Sequence, residues 1–379
     1  MSVFRKGDHP ISRQKELRAE VREFVSREMA ARGLERHCDS WMTGFCPEFS
    51  RALGVRGWIG MTFPREFGGA QVSSEQRYVV IEELLAAGAP VAAHWFADRQ
   101  VGPALVRHGT PEQQAKHLPA IARGERYFSI GMSEPDSGSD LASIRTRAEQ
   151  VDGGWRLSGA KVWTSLAHVA HYALVLARTA PVDRDNRHAG LSQFLIDLKS
   201  PGVEIRPIVT LDGGHHFNEV TFDDVVLAED SLLGAPGRGW AQVMQELALE
   251  RSGPERFLST MPLLRCLIER AGTPDLVELG VLLAQLRSIR AMSFEVAKAL
   301  GRGETPNVES AVVKDLGTQF EGKIIGLVRA SAGVAPDLDS DHELARLLAE
   351  AVLRSPDRTL RGGTNEILRG IVARELVTS

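Results

Sequence analysis

The stretch Tyr127 to Asp140, YFSIGMSEPDSGSD, is where the chain changes its period. Before it, apolar residues recur at helical spacing; after it they come in short β-rich runs divided by turn residues. Upstream, Leu17, Val21, Phe24, Val25 and Met29 predict an amphipathic helix running to about Met29 behind a Ser12 cap. Two more helix starts are marked by capping boxes, Ser73 with Gln76 and Thr110-Pro111-Glu112-Gln113, the second with proline at the first helical position. Gly88 and Gly124 are the expected stops. Residues 1–125 are thus expected to form an N-terminal helical domain.

Downstream, strands are expected at Tyr127-Met132, Ile144-Gln150, Trp155-Ser158, Tyr172-Thr179, Leu191-Leu198, Val203-Leu211 and Phe217-Val226, with Asp152-Gly153 as a hairpin turn. These make an antiparallel β unit over residues 126–235. After Gly234-Ala-Pro-Gly-Arg-Gly239 the helical period resumes with Trp240, Val243, Met244 and Leu247 and persists to Ile371 and Val372, giving a helical domain over 236–379. The expected fold is mainly α with a central β domain.

The 379 residues, 43% hydrophobic and 25% charged, provide core enough for two or three domains at roughly 150 residues each. Lys+Arg of 45 against Asp+Glu of 49, with no basic run, argues against nucleic acid as a partner. The N-terminus is charged and no long apolar run occurs, so neither a signal peptide nor a membrane span is expected, and a soluble, cytoplasmic protein is. Cys38, Cys46 and Cys266 have no CxxC spacing and read as reduced thiols. His168 with His171, and the adjacent His215 and His216, lack an acidic third ligand at motif spacing, so no metal is expected.

Ile130-Gly-Met-Ser133-Glu-Pro-Asp-Ser-Gly138-Ser139-Asp140 is followed some twenty residues on by Lys161-Val-Trp163-Thr164-Ser165. Small hydroxyl residues let a backbone approach a planar or anionic ligand and donate to it, and a Trp beside them lies against a ring system. Composition alone also fits a Ser/Gly-rich turn beside a core Trp. The two segments resemble, in order, the TEPGAGSD and KxWIT signatures of the acyl-CoA dehydrogenase family. The resemblance extends to Phe217-Asn-Glu-Val-Thr-Phe-Asp-Asp-Val225 and to the terminal Gly362-Gly-Thr-Asn-Glu-Ile-Leu-Arg.

That resemblance implies a barrel-like antiparallel middle domain, a C-terminal four-helix bundle and FAD as cofactor. Ile130, Met132, Ser133, Gly138, Ser139, Trp163, Thr164 and Ser165 would face the flavin, Ser139 would also touch CoA, and Thr364 and Glu366 would lie near the cofactor. Glu134-Pro135 would set a turn. The implied reaction moves an α-proton of an acyl-CoA to a carboxylate and a β-hydride to flavin N5, with an electron-transfer flavoprotein as acceptor.

The base in many members immediately precedes the Gly-Thr of the C-terminal motif, where this chain has Gly362. A second arrangement in the family places it on the first long helix of the C-terminal domain, before an arginine that lies along CoA, and Glu250-Arg251 matches. Seven residues after Val243, Glu250 falls about 20° around the helix from it, at an apolar rim where a carboxylate is partly desolvated. Without the family, it reads as a surface Glu paired with an Arg. The Gly362 N–H would hold the thioester carbonyl, and the absent side chain would leave room for a branched or ring-bearing acyl group.

Two family motifs, Arg-x-x-Phe-Gly and Gln-x-x-Gly-Gly, which reach a neighbouring subunit's FAD, are missing. Leu267-Ile-Glu-Arg270-Ala-Gly-Thr-Pro274 and Gly326-Leu-Val-Arg329-Ala-Ser-Ala-Gly333 stand in their regions. The expectation is one subunit of a heteromeric dehydrogenase, such as a heterotetramer, whose related partner supplies the other half; a homo-oligomer is the alternative. A non-catalytic subunit and a flavin oxidase or monooxygenase on the same fold are the competing functions.

Overall fold

The computed structural model describes residues 10–270 and 275–378. Its first helix, α1 (Pro10–Ala31), begins before the expected Ser12 cap, which falls inside it. Proline suits a helix head, since its φ is already helical and its missing N–H is one the first turn leaves unpaired. Then come α2 (Ser40–Thr43), α3 (Pro47–Val55), α4 (Ser74–Ala86), α5 (Ala92–Phe96), a π-helical turn (Ala97–Val101), α6 (Gly102–His108) and α7 (Pro111–Ala122). Both capping boxes form: Ser73 with Gln76 at α4 and Thr110 with Gln113 at α7, each side chain accepting from the other's backbone N–H. Gly88 and Gly124 follow these helices in left-handed backbone, each with φ 68°.

The strands are β1 (Phe128–Gly131), β2 (Arg147–Val151), β3 (Gly154–Ser165), β4 (Tyr172–Arg178), β5 (Leu191–Asp197), β6 (Val203–Ile208), β7 (Phe217–Ala228) and β8 (Leu232–Leu233). They order as β6-β7-β3-β2-β4-β5-β8, with β1 beside β4. Asp152-Gly153 joins β2 to β3 as expected, Gly153 at φ 75°. Pairing is antiparallel with two exceptions: β1 runs parallel to β4, and β2 meets β4 at one parallel pair. The long path between β1 and β4 through β2 and β3 supplies the crossover that a parallel neighbour needs. β3 also outruns the expected Trp155-Ser158 and carries the whole second motif to Ser165. Its register on β7 shifts twice, between Leu157 and Gly159 and between Lys161 and Thr164, which breaks the period-two alternation that would have marked it.

The C-terminal helices are α8 (Gly239–Ser252), α9 (Met261–Arg270), α10 (Leu276–Gly301), α11 (Asn307–Ser331), α12 (Glu343–Leu353), α13 (Ser355–Arg358) and α14 (Asn365–Thr378). α11 packs against α8, α10 and α14. One apolar core unites the N- and C-terminal helices, a second fills the β domain, and a small third cluster joins them. In that third cluster Val243 and Leu247 of α8 bury against Ile144, Leu176 and Leu191, with Met132, Trp240 and Met244 at its margin. α8 is thereby pinned on the β domain beside the end of β1.

Candidate active site

Lys161 and Glu134 fasten the two β-domain motifs to each other. Lys161 is wholly buried; its Nζ donates to Glu134 Oε1 at 2.9 Å and to the Met132 carbonyl at 3.0 Å. Glu134 also accepts from the backbone N–H of Arg145 (2.6 Å) and Thr146 (2.9 Å). Burial pulls the Lys161 ammonium down to about 8, against the opposing pull of Glu134. Glu134 is held below the usual carboxylate range, its cost of burial outweighed by Lys161 and the backbone donors. This carboxylate is therefore spent on the turn, as the sequence suggested, and Val162 N–H to Ser133 O (2.9 Å) adds a second tie between the motifs.

What the tie presents is an aromatic ring. Trp163 is 56% exposed although it lies within β3, and its φ of 58° is in the left-handed region a bulky residue rarely adopts. Phe217 meets the indole edge-on at 5.6 Å. Next to it Thr164 is buried, its hydroxyl unpartnered among the described residues, while its carbonyl accepts from Asn218 Nδ2 at 3.0 Å. Ile130, Met132, Ser133 and Ser165 are half-buried, and Gly138 and Ser139 are exposed. A strained, exposed indole beside an orphaned hydroxyl fits the flat ring and polar edge of a flavin.

The C-terminal half of the site forms where α8 meets the turn before α14. Glu250 and Gly362 are far apart in sequence yet adjacent here: a Cβ built on Gly362 would stand 3.2 Å from Glu250 Oε1 and 3.1 Å from Arg256 Nη2. Arg256, 1% exposed, donates from Nη2 to Glu250 Oε1 (2.7 Å) and from Nε to the Glu250 carbonyl (2.8 Å). Glu250 Oε2 receives no hydrogen bond among the described residues. Beside Glu250, where the sequence reading expected an apolar rim, the structure places a buried guanidinium. Arg251 is 5% exposed, and its Nε donates to the Gly362 carbonyl at 2.9 Å. Its Nη1 is buried without a hydrogen-bond partner among the described residues.

The turn is held from beneath by Lys314 on α11, whose Nζ donates to Thr359 O (3.1 Å), Gly363 O (2.9 Å) and Asn365 Oδ1 (2.8 Å). Burial first, then the nearby Arg256 and Arg361, bring this lysine down to about 7. Thr364 Oγ1 accepts from Ile367 N–H at 3.3 Å, as a helix cap does, and Glu366 is exposed. Sequence reasoning passed over Arg256 and Lys314. An arginine six residues after the glutamate is ordinary in a chain this rich in arginine, and a buried lysine on a long helix has no spacing signature.

His168 stacks on His215 at 4.1 Å, and His171 Nδ1 accepts from Tyr127 N–H at 3.0 Å. Among the described residues no group of three or more His, Cys, Asp or Glu side chains is placed to hold a metal ion. No described helix is long and apolar enough to cross a membrane. Of the expected substitutes for the missing motifs, Arg270 pairs with Glu343 Oε2 at 2.7 Å and Arg329 is exposed; residues 271–274 lie outside the described residues.

Comparison with known proteins agrees with this geometry. The family models for the N-terminal and the middle domain of acyl-CoA dehydrogenase match residues 12–125 and 129–225. The chain is 37% identical to acyl-CoA dehydrogenase IpdE1 of Mycobacterium tuberculosis, over 87% of this chain and 86% of that one. It is 32% identical to acyl-CoA dehydrogenase FadE29 of the same organism, over 95% of each. Among solved structures, the Tcur3481-Tcur3483 steroid ACAD superposes with a TM-score of 0.84 at 26% identity, covering 98% of both chains. The ChsE4-ChsE5 complex of M. tuberculosis superposes with a TM-score of 0.79 at 25% identity, covering 99% of both.

Proposed function

Because the chain belongs to the acyl-CoA dehydrogenase family, an FAD-dependent family, we propose that it converts an acyl-CoA thioester to its 2-enoyl-CoA with Glu250 as the base. The observation that carries this reading is the contact between the two positions where the family keeps its carboxylate. Gly362 leaves open the space that Glu250 Oε1 occupies, 3.2 Å from where a Cβ would sit. FAD supplies the acceptor, at N5, for the hydride that leaves the β-carbon. Glu250 Oε2 takes the α-proton: the α C–H bond breaks, the carboxyl O–H forms, and the electron pair, drawn toward the thioester carbonyl, becomes the Cα=Cβ π bond as the β C–H pair departs as hydride. Arg256 fixes Oε1 and so aims Oε2. The Gly362 N–H, unpartnered among the described residues, donates to the thioester oxygen as negative charge gathers there, and Arg251 holds the turn that aims it.

Glu250→Gln tests the assignment. The variant is expected to keep its FAD, while bleaching of the flavin absorbance by acyl-CoA slows by about a hundredfold or more. Bleaching at the original rate places the base elsewhere. A subunit without chemistry has no use for a carboxylate aimed in this way, which favours catalysis over a scaffold role. An electron-transfer flavoprotein is the acceptor that the family suggests. Two of the similar solved structures are two-chain assemblies by name, which supports reading this chain as one half of a heteromer whose partner brings the missing motifs.

A further inference from the structure

Arg256 and the Gly362 turn are also held from the N-terminal helices, by the short helix α2. The Trp41 indole, 3% exposed, lies under two guanidiniums: Arg361 Cζ stands 4.8 Å from the ring centroid and Arg256 Cζ 5.4 Å. Arg361 immediately precedes Gly362 in the chain. Arg256 Nη2 donates to Glu250 Oε1 at 2.7 Å and stands beside the open side of Gly362. One ring therefore meets both the arginine that holds Glu250 and the arginine that leads into the turn. Arg256 Nη1 is buried without a hydrogen-bond partner among the described residues, and a guanidinium so placed is drawn to the negative π face of an indole.

The ring itself is fixed. Trp41 Nε1 donates to Ser259 Oγ at 3.0 Å, and that hydroxyl donates onward to the Glu255 carbonyl at 2.8 Å. Asp39, just before α2, donates its N–H to the Ser259 carbonyl at 3.0 Å. Its carboxylate accepts from Arg361 Nη2 at 2.9 Å and from Arg358 Nη2 at 2.7 Å. Two cations brought to one ring repel each other, and here each has its own carboxylate: Asp39 for Arg361, Glu250 for Arg256. A base and an oxyanion donor act together only at a fixed spacing, since a displacement of about 1 Å can cost about a hundredfold in rate. A leucine at position 41 would fill part of the same volume and leave the two guanidiniums without the π face.

We propose that Trp41 is a positioning residue of the reaction: its indole, fixed by Ser259, sets Arg256 and Arg361 relative to each other and so holds Glu250 at one spacing from the Gly362 N–H. The inference rests on the acyl-CoA reading above, with Glu250 as base. It goes beyond that reading by assigning a part in the chemistry to a residue of the N-terminal helices that acts through other side chains.

The test uses the flavin-loaded holoenzyme and reads flavin bleaching by hexanoyl-, isobutyryl- and cyclohexanecarbonyl-CoA, a straight, a branched and a ring-bearing thioester. With the thioester that bleaches the parent fastest, Trp41→Leu is expected to lower the limiting rate about tenfold to a hundredfold, while the half-saturating concentration stays within about twofold. Trp155→Leu, which removes a buried indole that meets Phe194 in the β-domain core, should lose thermal stability comparably and keep the parent's rate. Ser259→Ala and Trp41→Phe each break the Trp41–Ser259 hydrogen bond but leave an aromatic face beside the arginines. Each should slow bleaching about threefold, and the two combined no further than either alone. The Ser259→Ala rate decides the matter even if the leucine variant does not fold. An unchanged limiting rate in folded Trp41→Leu or in Ser259→Ala, or an equal slowing in Trp155→Leu, overturns the inference and leaves the acyl-CoA reading standing. Bleaching of Glu250→Gln at the parent's rate overturns the base assignment and this inference with it. A parent that none of the three thioesters bleaches overturns the acyl-CoA reading as well.

Discussion

At Gly362 a single residue sets the space beside Glu250, the carboxylate we propose as the base. Its φ of 73° lies in the left-handed region, where a Cβ costs roughly 1–2 kcal/mol, and that Cβ would press on Arg256 Nη2 and Glu250 Oε1 at 3.1 and 3.2 Å. Gly362→Ala is therefore expected to lower unfolding free energy by about 1–2 kcal/mol and kcat by more than tenfold, as denaturant titration and turnover would show. Unchanged turnover would remove the turn from the chemistry. Glu250 and Gly362 were legible in the sequence because motif order marks them, one vacancy pointing to the other position. Arg256 was not, since its role exists only once α8 has turned back at Pro254 and brought the guanidinium under the carboxylate.

Among the elements, β3 matters most, because it carries one of the two segments proposed to face the flavin and, through Lys161, grips the other. Removing one partner of a buried pair leaves the other charge uncompensated, at about 3–5 kcal/mol, whereas removing both charges costs much less. Lys161→Met should therefore be strongly destabilising and should lose FAD on purification. Adding Glu134→Gln should restore much of the stability, although less of the FAD, because the Met132 carbonyl and the turn remain unheld. Thermal melts and flavin absorbance of the single and double variants check this; full additivity of the two losses would show that the pair does not act as a unit. Helix starts were the most legible elements, since a capping box is local chemistry and both formed as written. The far half of β3 was not legible. Its register shifts are set by pairing with β7, and with the positive φ of Trp163 they leave no alternating pattern. The parallel neighbourhood of β1 and β4 was likewise invisible, because nothing in either run names its partner.

For the whole molecule, the two ends of the cofactor site are unequally furnished. The ring end has a strained exposed indole, a tied pair of motifs and Glu250, the base we propose, bonded to a buried arginine. For the adenosine end the chain offers Arg270, already committed to Glu343, and Arg329, exposed on α11 without the Phe and paired glycines that accompany such residues in the family. An ion pair to another residue of the same chain is a poor starting point for binding a pyrophosphate, since one interaction must be given up for the other. The chain purified alone should therefore carry well below one FAD per polypeptide while remaining folded. Co-expression with a related chain that has both missing motifs should raise the flavin toward stoichiometry and bring the two chains through size exclusion together. Visible absorbance per chain reads both arms. A fully flavinated protein from this chain alone would mean that its own side chains seat the adenosine, and Arg270 would be the first to replace, because Arg270→Ala would then release FAD while leaving the ring-end motifs untouched.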